Sequence, residues 1–347
     1  MTVRFLPLAA CPSLPGTGPV GDAAWLQAWS AAFRADARLL MTADGAAWMP
    51  LLRQSRGPAN LLRTLCSPTN GHSQYAGLVL SPDDPEGSAK ALLRAATGLA
   101  GWDFLRLQGV PLADCAPLHR AAETLGLRLQ IERRFPHHVA DLAAVRAGAL
   151  PPPMSGATRR RKDRQLRALE RIGTVGFTRA CGPDRPAALE DYLRAERLSW
   201  KSAGGELLSA SPAIGGFYRA VAMMPGTEIW SMLLEGRPIA GMILRRAAGE
   251  LVCLKTFFDS ALDPHSPGSL LAIAILRHHL QDPAPARMNF YSGKDSYRFL
   301  ATGQLQLCDL IIWGRGARPA LLRRGRGLLH RLRAARAPAV PDHDEGP

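Results

Sequence analysis

The sequence predicts an α+β chain made of two similar units, each a mixed, largely antiparallel sheet flanked by helices. Segments with helical 3.6-residue periodicity alternate along the chain with short apolar runs of strand length. Several runs are joined by the turn pairs Asp44-Gly45, Glu235-Gly236 and Ala248-Gly249, which signal hairpins. Both halves also run helix, hairpin, strand, helix, strand, on either side of "GALPPPMSGA" at 148–157, which reads as an extended connection. At 347 residues, a prior of about 150 residues per domain gives two domains, and 47% apolar content is ample for their cores.

In the first half, "GDAAWLQAWSAAF" places Asp22 as the N-cap of a helix, with Trp25, Leu26, Trp29 and Phe33 on one face. "ARLLMTADGAAWMPLLRQS" reads as a hairpin, and "NLLRTLCSP" and "YAGLVLS" as further strands. "SAKALLRAATGLA" is a helix, "WDFLRLQGV" a buried strand, "APLHRAAETLG" a helix and "LRLQIERRF" a strand.

The second half opens with the basic helix "TRRRKDRQLRALERIG" and the strand "TVGFTRA". "RPAALEDYLRAERLSWKS" follows as one helix, with Leu189, Tyr192, Leu193, Leu198 and Trp200 roughly on one face, and "PAIGGFYRAVAMM" as a shorter one. "TEIWSMLLEGRPIAGMILRRAAGELVCLKTFFD" gives three strands. A turn and helix "DPHSPGSLLAIAILRHHL", the strand "RMNFYSG", the short helix "KDSYRFLATG" and paired strands in "QLQLCDLIIW" complete the unit.

Charge and cysteine usage narrow the class. The net charge is +14, and residues 315–336 hold eight arginines and no acid, so without them it falls to about +6. The helix at 158–173 carries seven basic residues against Asp163 and Glu170. Such patches suit a phosphate-rich partner or an anionic membrane surface, or solvated helix faces alone. The six cysteines lie far apart with no CxxC pair, and the pairs His137-His138 and His278-His279 diverge on any regular element, so no metal site is expected. The first residues carry one Arg and a proline-broken apolar run, and no run of about 18 apolar residues occurs. A cytoplasmic location is expected, with peripheral attachment to the inner face of the membrane as the alternative.

The turn before "SLLAIAILRHHL" carries the functional signal. Ser266 can cap, Pro267 can occupy the first helical position without losing a hydrogen bond, and Gly268 leaves the next position bare. Unpaired N–H groups at the positive end of a helix dipole make an anion site, here set directly after a strand.

Five segments in this order, "RRRKDRQLRALERIG", "AERLSWKSAGG", "GRPIAGMIL", "FFDSALDPHSPGSLL" and "NFYSGKDSYRF", resemble the GCN5-related N-acetyltransferase (GNAT) superfamily, in particular its cellulose-biosynthesis-associated (CelD/BcsL-like) family. The resemblance covers residues 155–315 well and 20–145 in outline. It implies a duplicated GNAT-like fold: a degenerate unit at 1–147, a linker at 148–157, a catalytic unit at 158–316 and a basic, partly disordered tail at 317–347. It further implies a splayed sheet that admits the pantetheine arm of acetyl-CoA or another acyl-CoA between the strand with Phe257 and Phe258 and the strand with Asn289 and Tyr291. The pyrophosphate would sit on the amides of Ser266, Pro267, Gly268, Ser269 and Leu270. One departure stands in the loop, where "DPHSPGS" replaces the superfamily's Arg/Gln-x-x-Gly-x-Gly/Ala.

By the same resemblance Tyr297 is the acid for the departing thiolate, while Asp259 is a candidate general base or water holder. Trp200, Lys201, Asp295 and Arg298 are the candidate substrate-binding residues, for an acceptor that is a small polar amine such as an amino sugar. The expected function is an acyl-CoA-dependent N-acyltransferase working in a ternary complex, in exopolysaccharide or cell-envelope biosynthesis. Two alternatives stand beside it. One is a FemABX-like transferase whose Arg-rich segments bind aminoacyl-tRNA. The other is a non-catalytic assembly factor docked on anionic membrane through "LLRRGRGLLHRLRAAR".

Overall fold

The computed structural model describes residues 2–336 apart from 9–10, 12–17, 34–35, 57–61, 76 and 205–206. The first half contains β1 (Val3–Pro7), α1 (Ala23–Phe33), β2 (Ala37–Thr42), β3 (Trp48–Arg56), β4 (Leu62–Cys66), α2 (Pro85–Thr97), β5 (Phe104–Pro111), α3 (Cys115–Thr124) and β6 (Arg128–Asp141). Two helices, α4 (Leu142–Arg146) and α5 (Gly156–Glu170), flank the proline-rich connection. The second half contains β7 (Val175–Ala180), α6 (Arg185–Ala195), α7 (Lys201–Gly204), α8 (Pro212–Met223), β8 (Thr227–Leu234), β9 (Arg237–Ala247) and β10 (Glu250–Phe258). It ends with α9 (Pro267–Gln281), β11 (Arg287–Asn289), β12 (Gly303–Trp313) and α10 (Ala317–Arg336).

All the strands join one sheet in the order β1-β2-β3-β4-β5-β12-β6-β11-β10-β9-β8-β7. The two halves repeat one topology: β4 runs parallel to β5 as β10 runs parallel to β11, and the helices α2 and α9 make the two crossovers. Each half surrenders its last strand to the centre. β12 lies between β5 and β6, and β6 reaches across to pair with β11. The strand expected to close the second unit is thus embedded in the first, and the units share a backbone ladder rather than closing separately at 148–157. A strand's own alternation records that one face is buried, and it says nothing about which neighbour lies alongside.

Local signals explain most of the elements. Asp22 Oδ1 accepts the Trp25 N–H at 2.9 Å, as an N-cap should. In the β8–β9 and β9–β10 turns both central residues take positive φ, Glu235 (50°) with Gly236 (74°) and Ala248 (47°) with Gly249 (75°). That is the geometry whose twist matches paired strands. Four readings differ from the structure. "YAGLVLS" forms no strand among its described residues, and its backbone pairs with the sheet there through a bridge from Val79 to Trp48. The long helix after β7 breaks at 196–198 into a 3-10 turn before α7. "QLQLCDLIIW" lies in one strand, the eleven-residue Gly303–Trp313, rather than two. Residues 317–336, expected as tail, form α10, and 337–347 lie outside the described residues.

The core explains why the halves do not separate. Trp25 and Trp29 of α1 pack with Phe217 and Val221 of α8 in one cluster, with Trp25 and Phe217 edge to face at 4.9 Å. On the opposite face of β8–β10, Leu270, Leu271, Ile273 and Ile275 of α9 pack against Trp230, Met242 and Leu251. Each such buried side chain contributes about 1.5–3 kcal/mol. Among the described residues no helix is long and apolar enough to cross a membrane.

Candidate functional site

The site begins where β10 and β11 part. They pair only from Glu250 with Arg287 to Val252 with Asn289. Beyond that, β10 continues to Phe258, while Phe290 donates its N–H to His138 O on β6 and Tyr291 turns the chain away at φ 54°. A β-bulge between Cys253 and Lys255 shifts the register against β9. The bulge reverses the alternation, so Val252 and Phe257 both face the α1–α8 side. Thr256 and Phe258 therefore face α9, and with Gly268, Ser269, Ser296 and Tyr297 they line a cleft of about 250 Å³.

The mouth of the cleft is the α9 entrance. Ser266 adopts the left-handed region (φ 51°, ψ 53°), and its side chain makes no cap. Instead Gln165 of α5 donates its amide to Pro264 O at 2.9 Å and to Ser266 Oγ at 3.0 Å, holding the turn. The expected row of free amides is largely spent. Ser266 N–H bonds Asp263 O, and the N–H groups of Ser269 and Leu270 both bond Ser266 O. Pro267 has no N–H, so the Gly268 amide is what remains to meet an anion. The 3-10 turn before the helix takes the Ser266 N–H and the Ser266 carbonyl takes the other two, which no residue-type pattern announces.

Tyr297 lines the same cleft. It sits on a 3-10 turn, stacks on Phe290 at 5.0 Å and hydrogen-bonds Thr256, and burial pushes its hydroxyl well above the ordinary tyrosine range. It therefore stays protonated at neutral pH. Arg298 and Asp295 are exposed on that turn. Trp200 is 47% exposed, and Lys294 Nζ lies 5.9 Å from its ring.

Other expected residues do different work. Asp259 does not line the cleft. It caps the 3-10 turn by accepting the Ala261 N–H at 3.0 Å and lies 3.6 Å from Arg237, so the turn-initiating role prevails over that of a base. Lys201 is buried and pairs with the buried Glu196 at 3.0 Å, so it offers no free cation. Asn289 donates to Tyr75 Oη at 2.6 Å and to Glu250 at 3.0 Å, and the Tyr291 hydroxyl accepts the Gln74 N–H. Both are committed to the seam between the halves. Phe257 packs edge to face on Tyr192 at 4.7 Å, in the core. Sequence reasoning missed Gln165 and Thr256, and only the parity shift at the bulge distinguishes Thr256 from its neighbours.

The first half has a helix in the corresponding place, but its entrance is filled. Asp84 caps α2 by accepting the Gly87 N–H at 2.9 Å, with Glu86 in the first turn. Two carboxylates at that helix end repel a phosphate.

A splayed parallel pair beside a Ser-Pro-Gly helix entrance agrees with a sequence match: residues 156–298 fit the family model described as Acetyltransferase (GNAT) domain. This segment is a GNAT-type domain. No curated protein matches the chain. Among solved structures, FemX has a TM-score of 0.58 at 11% identity, covering 90% of this chain and 97% of that one. The C-terminal domain (DUF2156) of a candidate lysylphosphatidylglycerol synthetase from Agrobacterium fabrum has a TM-score of 0.56 at 14% identity, covering 88% and 91%. L-PGS from Bacillus licheniformis has 0.51 at 14%, covering 87% and 90%. At such identities the likeness is one of fold, and it extends over both halves of this chain around the GNAT-type domain. Among the described residues no group of three or more His, Cys, Asp or Glu side chains could hold a metal ion.

Proposed function

We propose that the chain is an acyl-CoA-dependent N-acyltransferase that acts on a polar amine such as an amino sugar. The observation that carries this reading is the single cleft holding both the free Gly268 amide and the protonated Tyr297, where β10 leaves β11. The diphosphate of the donor meets the Gly268 amide at the positive end of α9, and the pantetheine arm lies against Phe258 and Thr256. The amine attacks the thioester carbonyl, its electron pair forming the C–N bond as the carbonyl oxygen takes the negative charge. Collapse of that intermediate breaks the C–S bond, and the Tyr297 hydroxyl gives its proton to the departing sulfur. The amine's own proton leaves to solvent and tyrosinate is reprotonated from water. The first half, with Asp84 and Glu86 at its helix entrance, acts as a wall of the site rather than a second centre.

Titration calorimetry with CoA and acetyl-CoA tests this. Binding with a Kd below about 1 mM is expected, and no heat at millimolar ligand overturns it.

A second reading has one observation of its own. The helix α5, which holds the entrance through Gln165, exposes Arg159, Arg160, Arg161, Arg164 and Arg167, a cationic row suited to nucleic-acid phosphates. An aminoacyl-tRNA donor would then approach over α5. Its mark is tRNA binding that weakens steeply between 50 and 200 mM salt, on the order of tenfold or more. Three of the C-terminal arginines are committed to the fold: Arg318 pairs with Asp103 at 2.7 Å, and Arg315 and Arg326 bond Leu125 O and Glu132.

A further inference from the structure

On the face of the sheet away from α9, two buried tyrosines lack partners. Tyr192 of α6 is fully buried and Tyr218 of α8 is 1% exposed, yet among the described residues neither hydroxyl has a hydrogen-bond partner, and nor does Nδ1 of His72 from the first half. Buried hydroxyls without partners are costly and rare in a folded chain, so several in one place point to a group that binds there. They lie near one another: the His72 ring meets Tyr218 edge to face at 5.7 Å, and the Tyr192 and Tyr218 hydroxyls are within electrostatic reach of each other. Tyr192 also lies within electrostatic reach of Tyr297 of the cleft.

We propose that Tyr192, Tyr218 and His72 form the acceptor side of the acyl-transfer site, and that the acceptor is an amine carrying neutral hydroxyl groups. This rests on the acyltransferase reading above. The unsatisfied atoms are two hydroxyls and an imidazole, which is held neutral, near pKa 4, by burial and then by Lys255 and Lys201. Neutral donors and acceptors recognise hydroxyls. The charged neighbours are already committed: Glu196 takes Lys201 on one oxygen at 3.0 Å and the Leu208 N–H on the other at 2.8 Å, and Lys255 donates to Gly71 O. A carboxylate-bearing or dicationic acceptor therefore finds no open counter-charge in the cluster.

The test compares the full chain with its Tyr192→Phe/Tyr218→Phe variant, using glucosamine, cyclohexylamine and CoA as separate probes in calorimetry and thermal unfolding. The ligand-free variant is expected to unfold within about 2 °C of the parent, since the hydroxyls it loses bond nothing. Glucosamine is expected to bind the parent and to bind the variant at least tenfold more weakly, cyclohexylamine to bind neither, and CoA to bind both equally. A variant that unfolds more than about 5 °C lower overturns the proposal by giving the hydroxyls a role in the fold. Equal glucosamine affinity in both proteins, or no glucosamine binding to the parent, overturns it as well. If glucosamine behaves as expected while CoA gives no heat with the parent, the acceptor pocket stands and the acyl-CoA reading falls.

Discussion

Replacing Gly268 by alanine separates the donor-binding role proposed for the α9 entrance from its role in the fold. The backbone at Gly268 has no positive φ, and a Cβ placed there meets Phe258 Cδ1 at 3.4 Å, an ordinary contact. Alanine therefore fits the free protein, and in a helix it is favoured over glycine by about 0.5–1 kcal/mol. The unfolding temperature should hold or rise, by about 2 °C at most in a chain of this size. The new methyl, however, fills space between Gly268 and Phe258 in the cleft where the proposed reading puts the donor. Losing one N–H bond to an anion costs about 1.5–3 kcal/mol, so CoA affinity should drop by about 10- to 150-fold. Calorimetric titration of CoA into parent and variant, beside a thermal melt of each, reads both quantities. A folded variant with unchanged CoA affinity refutes the claim that this amide grips the donor.

Three further outcomes follow from the same geometry. Tyr297→Phe should lower kcat by about 100-fold or more with the KM for acyl-CoA little changed, and an intact kcat would remove Tyr297 as the acid. Asp259→Ala should cost about 1 kcal/mol through loss of the cap on Ala261 and less than tenfold in turnover; a larger loss together with disappearance of the acidic limb of the pH profile would restore it as a base. Glu228 is a buried hub whose burial alone would raise its pKa. Contacts with His279, Arg179 and Trp230 outweigh that and bring it down to about 2. Its folded pKa thus lies below the unfolded value near 4.5, so its contribution is complete above about pH 4.5 and fades as pH falls toward 2. Glu228→Gln should destabilise the protein by about 3–5 kcal/mol at pH 7, and urea unfolding should show the gap to the parent narrowing by pH 3. A gap of equal size at both pH values would contradict this.

The amino-acid sequence alone determined what depends on neighbours along the chain. The Asp22 cap, the Glu235-Gly236 and Ala248-Gly249 turns, the periodicity of α9 and the Ser-Pro-Gly entrance are local, because backbone preference and side-chain spacing act over a few residues. Only the tertiary structure decided which of those residues meet. The exchange of β6 and β12 depends on ladder partners far away in the chain, and the bulge in β10 reverses the faces of Thr256, Phe257 and Phe258. Whether Asp259 or Lys201 is free for chemistry depends on Arg237, Ala261 and Glu196, and composition does not reveal such commitments. The cluster of Tyr192, Tyr218 and His72 draws on both halves at once, since a site between two packed units exists only after their apolar faces have been buried together.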